Sequence, residues 1–119
     1  MYIIRLLLLI KWEADFAGTT MDKQIQTEIE AAVFRRLLDH FQQHTEVQNI
    51  ELMILADFCR NCLAKWYAAA ARERGESVDY EQARRIVYGM PYPEWREKYQ
   101  KEATPEQLAT FELKQKPKA

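Results

Sequence analysis

The amino-acid sequence predicts an all-α fold of about five helices, and three observations carry that prediction. Apolar residues recur every three or four positions along two long segments, as they do on the buried side of an amphipathic helix. Glycine and proline, which interrupt helices, number only three and four in 119 residues. Capping residues stand where the periodic segments begin. We therefore expect a long helical hairpin packed with three shorter C-terminal helices.

The two long segments form the predicted hairpin. The first helix is expected from Lys23 to His44, behind the N-cap residue Asp22. The second is expected from about Gln48 to Arg74, and its short connection to the first predicts antiparallel packing. The apolar rows are Ile25, Ile29, Val33, Leu37 and Phe41 in the first helix, and Leu52, Leu55, Cys59, Cys62, Trp66 and Ala69 in the second.

Each of the three shorter helices begins at its own capping signal. The third is announced by a capping box of Asp79 and Gln82, and it should end at Gly89. A proline in the first turn introduces the fourth helix, which should reach about Tyr99. A capping box and a proline together introduce the fifth. The residues of these last two signals are Pro93 for the fourth helix and Thr104, Pro105 and Gln107 for the fifth.

The two ends of the chain are expected to lie outside the folded domain. The apolar run from Tyr2 to Ile10 is much shorter than the roughly 20 residues of a membrane span. It also lacks the basic start and the small-residue cleavage site of a signal peptide. We interpret residues 1–20 as a leader with the native start at Met21, residues 21–113 as the domain, and residues 114–119 as a flexible basic tail.

Composition excludes several classes of function. The net charge of −1 gives no basic excess for nucleic-acid binding, and no segment predicts a membrane span. Two cysteines three positions apart do not form a secreted disulfide framework, so they indicate reduced thiols and a cytoplasmic protein. Nothing in the sequence calls for a cofactor.

Cys59 and Cys62 form a Cys-x-x-Cys pair, which is compatible with a redox dithiol or half a zinc site. In the middle of a long helix, however, the pair would lack the helix N-terminus that lowers a thiol pKa. The two histidines, His40 and His44, have ligand-capable spacing, but the expected hairpin puts His40 roughly 10 Å too far along the helix axis. We therefore predict that both cysteines pack in the core and that no metal is bound.

Two groups of residues are candidates for a functional surface. Aromatic side chains near the C-terminal helices could stack on a ligand or simply pack together. Polar residues on one face of the second helix could grip a partner or an anion, or merely face solvent. The aromatic candidates are Trp66, Tyr67, Tyr88, Tyr92 and Trp95, and the polar ones are Asp57, Arg60, Asn61 and Lys65.

Four stretches of the chain make it similar to a small bacterial family of unknown function, domain of unknown function 1244. The resemblance implies an all-helical fold and carries no established activity. It also excludes residues 1–20, in agreement with a start at Met21. The four stretches are Val47 to Ile50, Phe58 to Leu63 with Lys65 to Tyr67, Ile86 to Tyr92 with Trp95, and Tyr99 to Thr104.

The sequence therefore does not name a reaction, a substrate or a partner. We expect a non-enzymatic protein that acts through a helical interaction surface, as a homodimer or with another protein. The alternative is a thiol- or metal-dependent activity centred on Cys59 and Cys62.

Overall fold

The computed structural model describes residues 21–115, and within that range it is all-helical, with six helices and no β-strand. The predictions for residues 1–20 and 116–119 lie outside the described residues. None of the described helices is long and apolar enough to cross a membrane. The helices are α1 Lys23–Gln43, α2 Asn49–Ala56, α3 Arg60–Glu73, α4 Tyr80–Tyr88, α5 Tyr92–Tyr99 and α6 Pro105–Gln115.

Helix α1 begins where its cap predicts. The Asp22 carboxylate accepts a hydrogen bond from the backbone N–H of Gln24 at 3.1 Å. The chain divides into two compact units, residues 1–36 and 37–119, so this helix contributes to both. In the second unit its Leu38 and Phe41 are buried in the core. In the first unit the predicted apolar row is exposed instead. The exposed fractions of Ile25, Ile29 and Val33 are 50%, 47% and 64%.

The prediction of one long second helix is wrong, because the structure has two separate helices, α2 and α3, in its place. The backbone N–H of Asp57 bonds to the Met53 carbonyl at 3.1 Å, and Asp57 adopts a left-handed conformation with φ 59° that ends α2. Cys59 is fully extended and caps the start of α3. The apolar periodicity continues through this break without interruption, so the periodicity alone could not reveal the break. One consequence is that Leu55, which belongs to the apolar row of the second predicted helix, is 81% exposed.

The core of residues 37–115 lies between the shorter helices. The most extensive helix contacts join α3 to α4, α4 to α5 and α2 to α6. The expected hairpin of the first two predicted helices is not among these pairs, because the break redirects the chain after α2. Helix α6 extends through Lys114 and Gln115. The buried side chains of the core include Leu38, Phe41, Cys59, Leu63, Ala64, Ala83, Val87, Tyr88 and Trp95.

The predicted capping signals of the shorter helices are confirmed. At the start of α4, Asp79 and Gln82 exchange two side-chain-to-backbone hydrogen bonds of 2.8 and 2.9 Å. Thr104 and Gln107 do the same at the start of α6, at 3.1 and 2.9 Å. Pro93 lies in the first turn of α5. These signals are local in sequence, which is why the sequence alone could locate them.

Position 89, where α4 ends, requires glycine for two reasons. Its φ of 75° is a left-handed conformation that favours glycine. In addition, a Cβ atom at this position would lie 2.8 Å from the side-chain amide of Gln42. That amide donates to the Val87 carbonyl at 3.1 Å, so it covers a carbonyl that the end of the helix leaves unpaired. The last turn of α1 is thereby joined to the end of α4.

Candidate functional site

Arg60 is the centre of the site, and the prediction that it lies on an exposed polar face is wrong. It is the first residue of α3 and only 1% of its surface is exposed. Its Nη1 donates to the Val47 carbonyl at 2.7 Å and to Asn49 Oδ1 at 3.1 Å, while Nη2 donates to the His44 carbonyl at 3.0 Å. The guanidinium thus holds the connection between α1 and α2 in place.

The buried positive charge of Arg60 is stabilised by neutral groups. Its Cζ atom lies 5.1 Å from the ring centroid of Phe41 and 4.9 Å from that of Trp95, so two aromatic faces add cation–π attraction. It has no carboxylate within salt-bridge distance among the described residues. Burial lowers the pKa of the guanidinium, yet arginine stays protonated in proteins. A permanent positive charge therefore lies inside the domain.

A one-way chain of hydrogen bonds leads away from Arg60. Because a guanidinium can only donate, Asn49 must present its Oδ1 to Arg60. Asn49 Nδ2 then donates to the hydroxyl of Tyr88 at 3.0 Å, and that hydroxyl donates to Asn61 Oδ1 at 2.7 Å. Burial raises the pKa of Tyr88, so its hydroxyl remains a donor. The chain ends at Asn61 Nδ2, which has no acceptor among residues 21–115.

The end of this chain opens on a cleft of about 490 Å³, which we call the amide cleft. Each of the four stretches that carry the family resemblance contributes residues to it. Its wall combines side-chain amides and a phenol with three apolar side chains. The residues that line it are Gln48, Asn49, Ile50, Asn61, Tyr92, Gln100, Lys101, Glu102, Ala103 and Leu108.

Gln48 fixes one wall of the amide cleft. Its buried side chain donates from Nε2 to the Tyr99 carbonyl at 3.0 Å and accepts from the Lys101 N–H at 2.8 Å. Its own backbone N–H donates to Glu51 at 2.9 Å in a capping box at the start of α2. Sequence reasoning singled out neither Gln48 nor Asn49 as a site residue. The spacing of Gln48 and Glu51 was the available signal for the helix start, and nothing local signalled the contact with Tyr99.

The cysteine pair is placed differently from the prediction. Cys59 lies at the N-terminus of α3 and not in the middle of a helix, so the N–H groups of Asn61 and Cys62 do lower its pKa. Burial has the larger effect, and the pKa of the Cys59 thiol is raised overall. Cys62 is half-buried one turn further on. Burial thus makes the Cys59 thiolate harder to form, which works against a reactive dithiol.

The histidines do not join the cysteines in a ligand set. The rings of His40 and His44 lie 4.3 Å apart, and His44 Nδ1 is 3.0 Å from the Glu46 carboxylate. A hydrogen bond from the Glu46 backbone, followed by the one from His44, lowers the pKa of Glu46. Throughout residues 21–115 no group of three or more histidine, cysteine, aspartate or glutamate residues could hold a metal ion.

The aromatic candidates separate into core and surface. Tyr88 and Trp95 are buried with ring centroids 4.9 Å apart, so they cannot form an exposed stacking surface. Tyr92 packs edge-on against Tyr88 at 5.3 Å and lines the amide cleft. Trp66 is exposed and stacks on Phe58, and Tyr67 is half-buried. Burial by distant segments decides these outcomes.

The remaining polar candidates have other neighbours. Asp57 is exposed and forms an ion pair of 2.9 Å with Lys114 of α6. Lys65 is exposed on α3, with its Nζ 6.0 Å from the ring of Tyr80. Neither lines the amide cleft. The structure thus brings Arg60, Asn61 and the aromatic core together, and it leaves Asp57 and Lys65 out.

In the described part, the fold and the site define a small all-α domain organised around a buried arginine. Residues 47–113 match the family described as "Protein of unknown function (DUF1244)", and the chain belongs to that family. No curated protein matches the chain. Every residue of the amide cleft falls inside the matched range, whereas the whole of α1 lies before it.

Proposed function

We propose that the protein is a non-enzymatic interaction protein that associates through α1. One observation carries the proposal: Ile25, Ile29 and Val33, spaced four residues apart, share one helix face and are each about half or more exposed. We call this face the α1 stripe. Covering apolar surface is favourable by about 25 cal/mol per Å², so three such side chains favour a partner. The two free cysteines fit a reducing compartment, which we take to be the cytoplasm.

The occupant that we propose for the α1 stripe is the same stripe of a second copy, in antiparallel orientation. Asp22 and Arg36 lie on the same side of the helix as this stripe, seven residues before and seven residues after Ile29. A two-fold antiparallel pairing centred on Ile29 brings Asp22 of one copy beside Arg36 of the other, whereas a parallel pairing opposes like charges. Side chains four apart also form the ridges by which helices most often pack.

The test is the mass of the full chain in solution, measured by sedimentation equilibrium over a range of concentrations. We expect a dimer. Ile29→Glu should convert it to a monomer, because the substitution places a carboxylate in the centre of the apolar contact. Leu113→Glu is the matched control, since Leu113 is also an exposed apolar residue but lies on α6. That variant should remain dimeric, and both variants should keep the helical circular dichroism of the parent.

Two results would contradict the proposal. A dimer that survives Ile29→Glu would move the interface away from the α1 stripe. A full chain that is monomeric at every concentration would exclude the second copy. If, in such a monomer, Ile29→Glu sped up proteolysis of residues 1–20, that segment would be the occupant of the stripe instead.

A further inference from the structure

The amide cleft presents hydrogen-bond donors that have no acceptor in the part of the chain that the structure describes. The chain from Arg60 occupies the oxygen of Asn61 and leaves Nδ2 available. A second amide is oriented in the same sense, because the hydroxyl of Tyr92 donates to Gln100 Oε1 at 3.3 Å, and Gln100 Nε2 has no acceptor within residues 21–115. Two side-chain amides of one cleft therefore offer N–H groups and withhold their oxygens.

The charge behind these donors favours an anionic acceptor. At the cleft, the opposite charges of Lys101 and Glu102 offset each other. The guanidinium of Arg60 adds a fixed positive charge behind Asn49 and Tyr88, and hydrogen bonds in series polarise one another. The free N–H of Asn61 is thereby strengthened as a donor. Oxygens of a carboxylate are the matching acceptors.

The lining of the amide cleft also includes apolar side chains. Ile50 and Ala103 are partly buried, and Leu108 is about half exposed, so their side chains would gain from being covered. The volume of about 490 Å³ is within the range of pockets that hold small organic molecules. A ligand that matches both the amide donors and the apolar side chains carries oxygens as well as hydrocarbon.

We propose that the amide cleft binds a carboxylate attached to an apolar group, with the carboxylate on Asn61 Nδ2 and Gln100 Nε2 and the hydrocarbon on Ile50 and Leu108. The chemistry has two possible sources, a free aliphatic acid and the C-terminus of a peptide that ends in an apolar residue. This site is independent of the proposed pairing through α1.

The probe is 4-methylpentanoate, titrated into the ¹⁵N-labelled full chain while the side-chain amide signals are followed by NMR. We expect saturable shifts of the Asn61 and Gln100 signals and much weaker binding of the uncharged 4-methylpentanamide. N-acetyl-Ala-Leu and its C-terminal amide form the second pair of probes. Tighter binding of the acid peptide than of 4-methylpentanoate identifies a chain terminus as the source, and the reverse identifies a free acid.

The decisive variant is Asn61→Asp. It keeps an oxygen for the Tyr88 hydroxyl, so the fold is retained, but it replaces the free donor with a negative charge. We expect binding about tenfold weaker or more, as for the loss of a hydrogen bond to a charged group. Gln24→Glu adds the same charge at an exposed position that does not line the cleft, and it should bind as the parent does. Equal binding by Asn61→Asp, equal binding of acid and amide, or unchanged Asn61 and Gln100 signals would overturn the proposal.

Discussion

Arg60 occupies a position that is unfavourable for a cation in two respects. It is buried, and it is the first residue of α3, where the helix dipole is positive. Its planar fork of donors offsets both costs by reaching two carbonyls in the connection between α1 and α2 and the side chain of Asn49, the first residue of α2. The contribution of Arg60 therefore depends on the geometry of the guanidinium as well as on its charge.

We predict that Arg60→Lys and Arg60→Met both lower the free energy of unfolding, by about 2–4 kcal/mol, because buried carbonyl oxygens lose their donors. Lysine should not rescue the loss, since one ammonium cannot reach acceptors on both sides of the fork. Urea denaturation measures the effect. Arg85→Lys, at an exposed position of α4, is the control and should change little. Full stability of Arg60→Lys would show that charge alone suffices.

The Cys59 thiol predicts a loss of stability in alkali. Its pKa in the folded protein is raised by burial above the ordinary value of 9.0, so the unfolded chain releases this proton first as the pH rises. The contribution is fully present below about pH 9 and disappears as the pH passes the raised value. Denaturation of the parent and of Cys59→Ala should therefore show a shallower alkaline decline in the variant. Cys62→Ala is the control, and it should retain most of the parent's decline.

At the scale of elements, the break between α2 and α3 rests on Asp57. An L-residue in the left-handed region costs roughly 1–2 kcal/mol, although aspartate tolerates it better than most. The ion pair with Lys114 accompanies this conformation. Cys59, two residues on, can then begin a new helix in a new direction. The break thus places the N-terminus of α3, with Arg60, inside the domain.

We predict that Asp57→Ala lowers the free energy of unfolding by about 1 kcal/mol, because alanine has neither the ion pair nor a tolerance for φ 59°. Asp57→Gly should stay within about 0.5 kcal/mol of the parent, since glycine relieves the backbone while it loses the ion pair. Thermal denaturation gives the order of stability of the two variants and the parent. Asp39→Ala, on the exposed side of α1, is the control. If alanine were as stable as glycine at position 57, backbone strain would not matter there.

The elements also show which kinds of feature a sequence reveals. Asp22, Asp79 and Thr104 mark helix starts correctly because a capping residue and its partner lie within a few positions of each other. The break at Asp57 escaped prediction because the apolar residues on its two sides happen to continue one helical period. Periodicity reports which positions are apolar, and it does not report whether the backbone between them is continuous.

On the scale of the whole molecule, the helical class followed from the sequence, whereas the burial of individual residues did not. Arg60, Tyr88 and Trp95 were grouped with surface candidates, yet contacts between segments far apart in the chain bury all three. The reverse holds for Ile25 and Ile29, whose apolar pattern predicts a core but whose side chains are exposed. A single sequence does not show which segments cover which, so the amide cleft emerged only from the structure.

The two proposals concern different compact units of the chain, so they can succeed or fail separately. The α1 stripe belongs to residues 1–36, and the amide cleft belongs to residues 37–119. Ile29→Glu should abolish pairing and leave carboxylate binding intact. Asn61→Asp should weaken carboxylate binding and leave pairing intact. Measuring both properties on both variants therefore gives each variant a control in the other.

The hydrogen-bond chain from Arg60 to Asn61 contains no group that gains or loses a proton at ordinary pH. Arginine stays charged, asparagine does not titrate, and burial raises the pKa of Tyr88 further from neutrality. The direction of the chain is thus built in permanently and cannot act as a pH sensor. A pH dependence of binding that arises at this end of the amide cleft would therefore come from the ligand's own carboxyl group. An acid titration of binding would then report the pKa of the ligand.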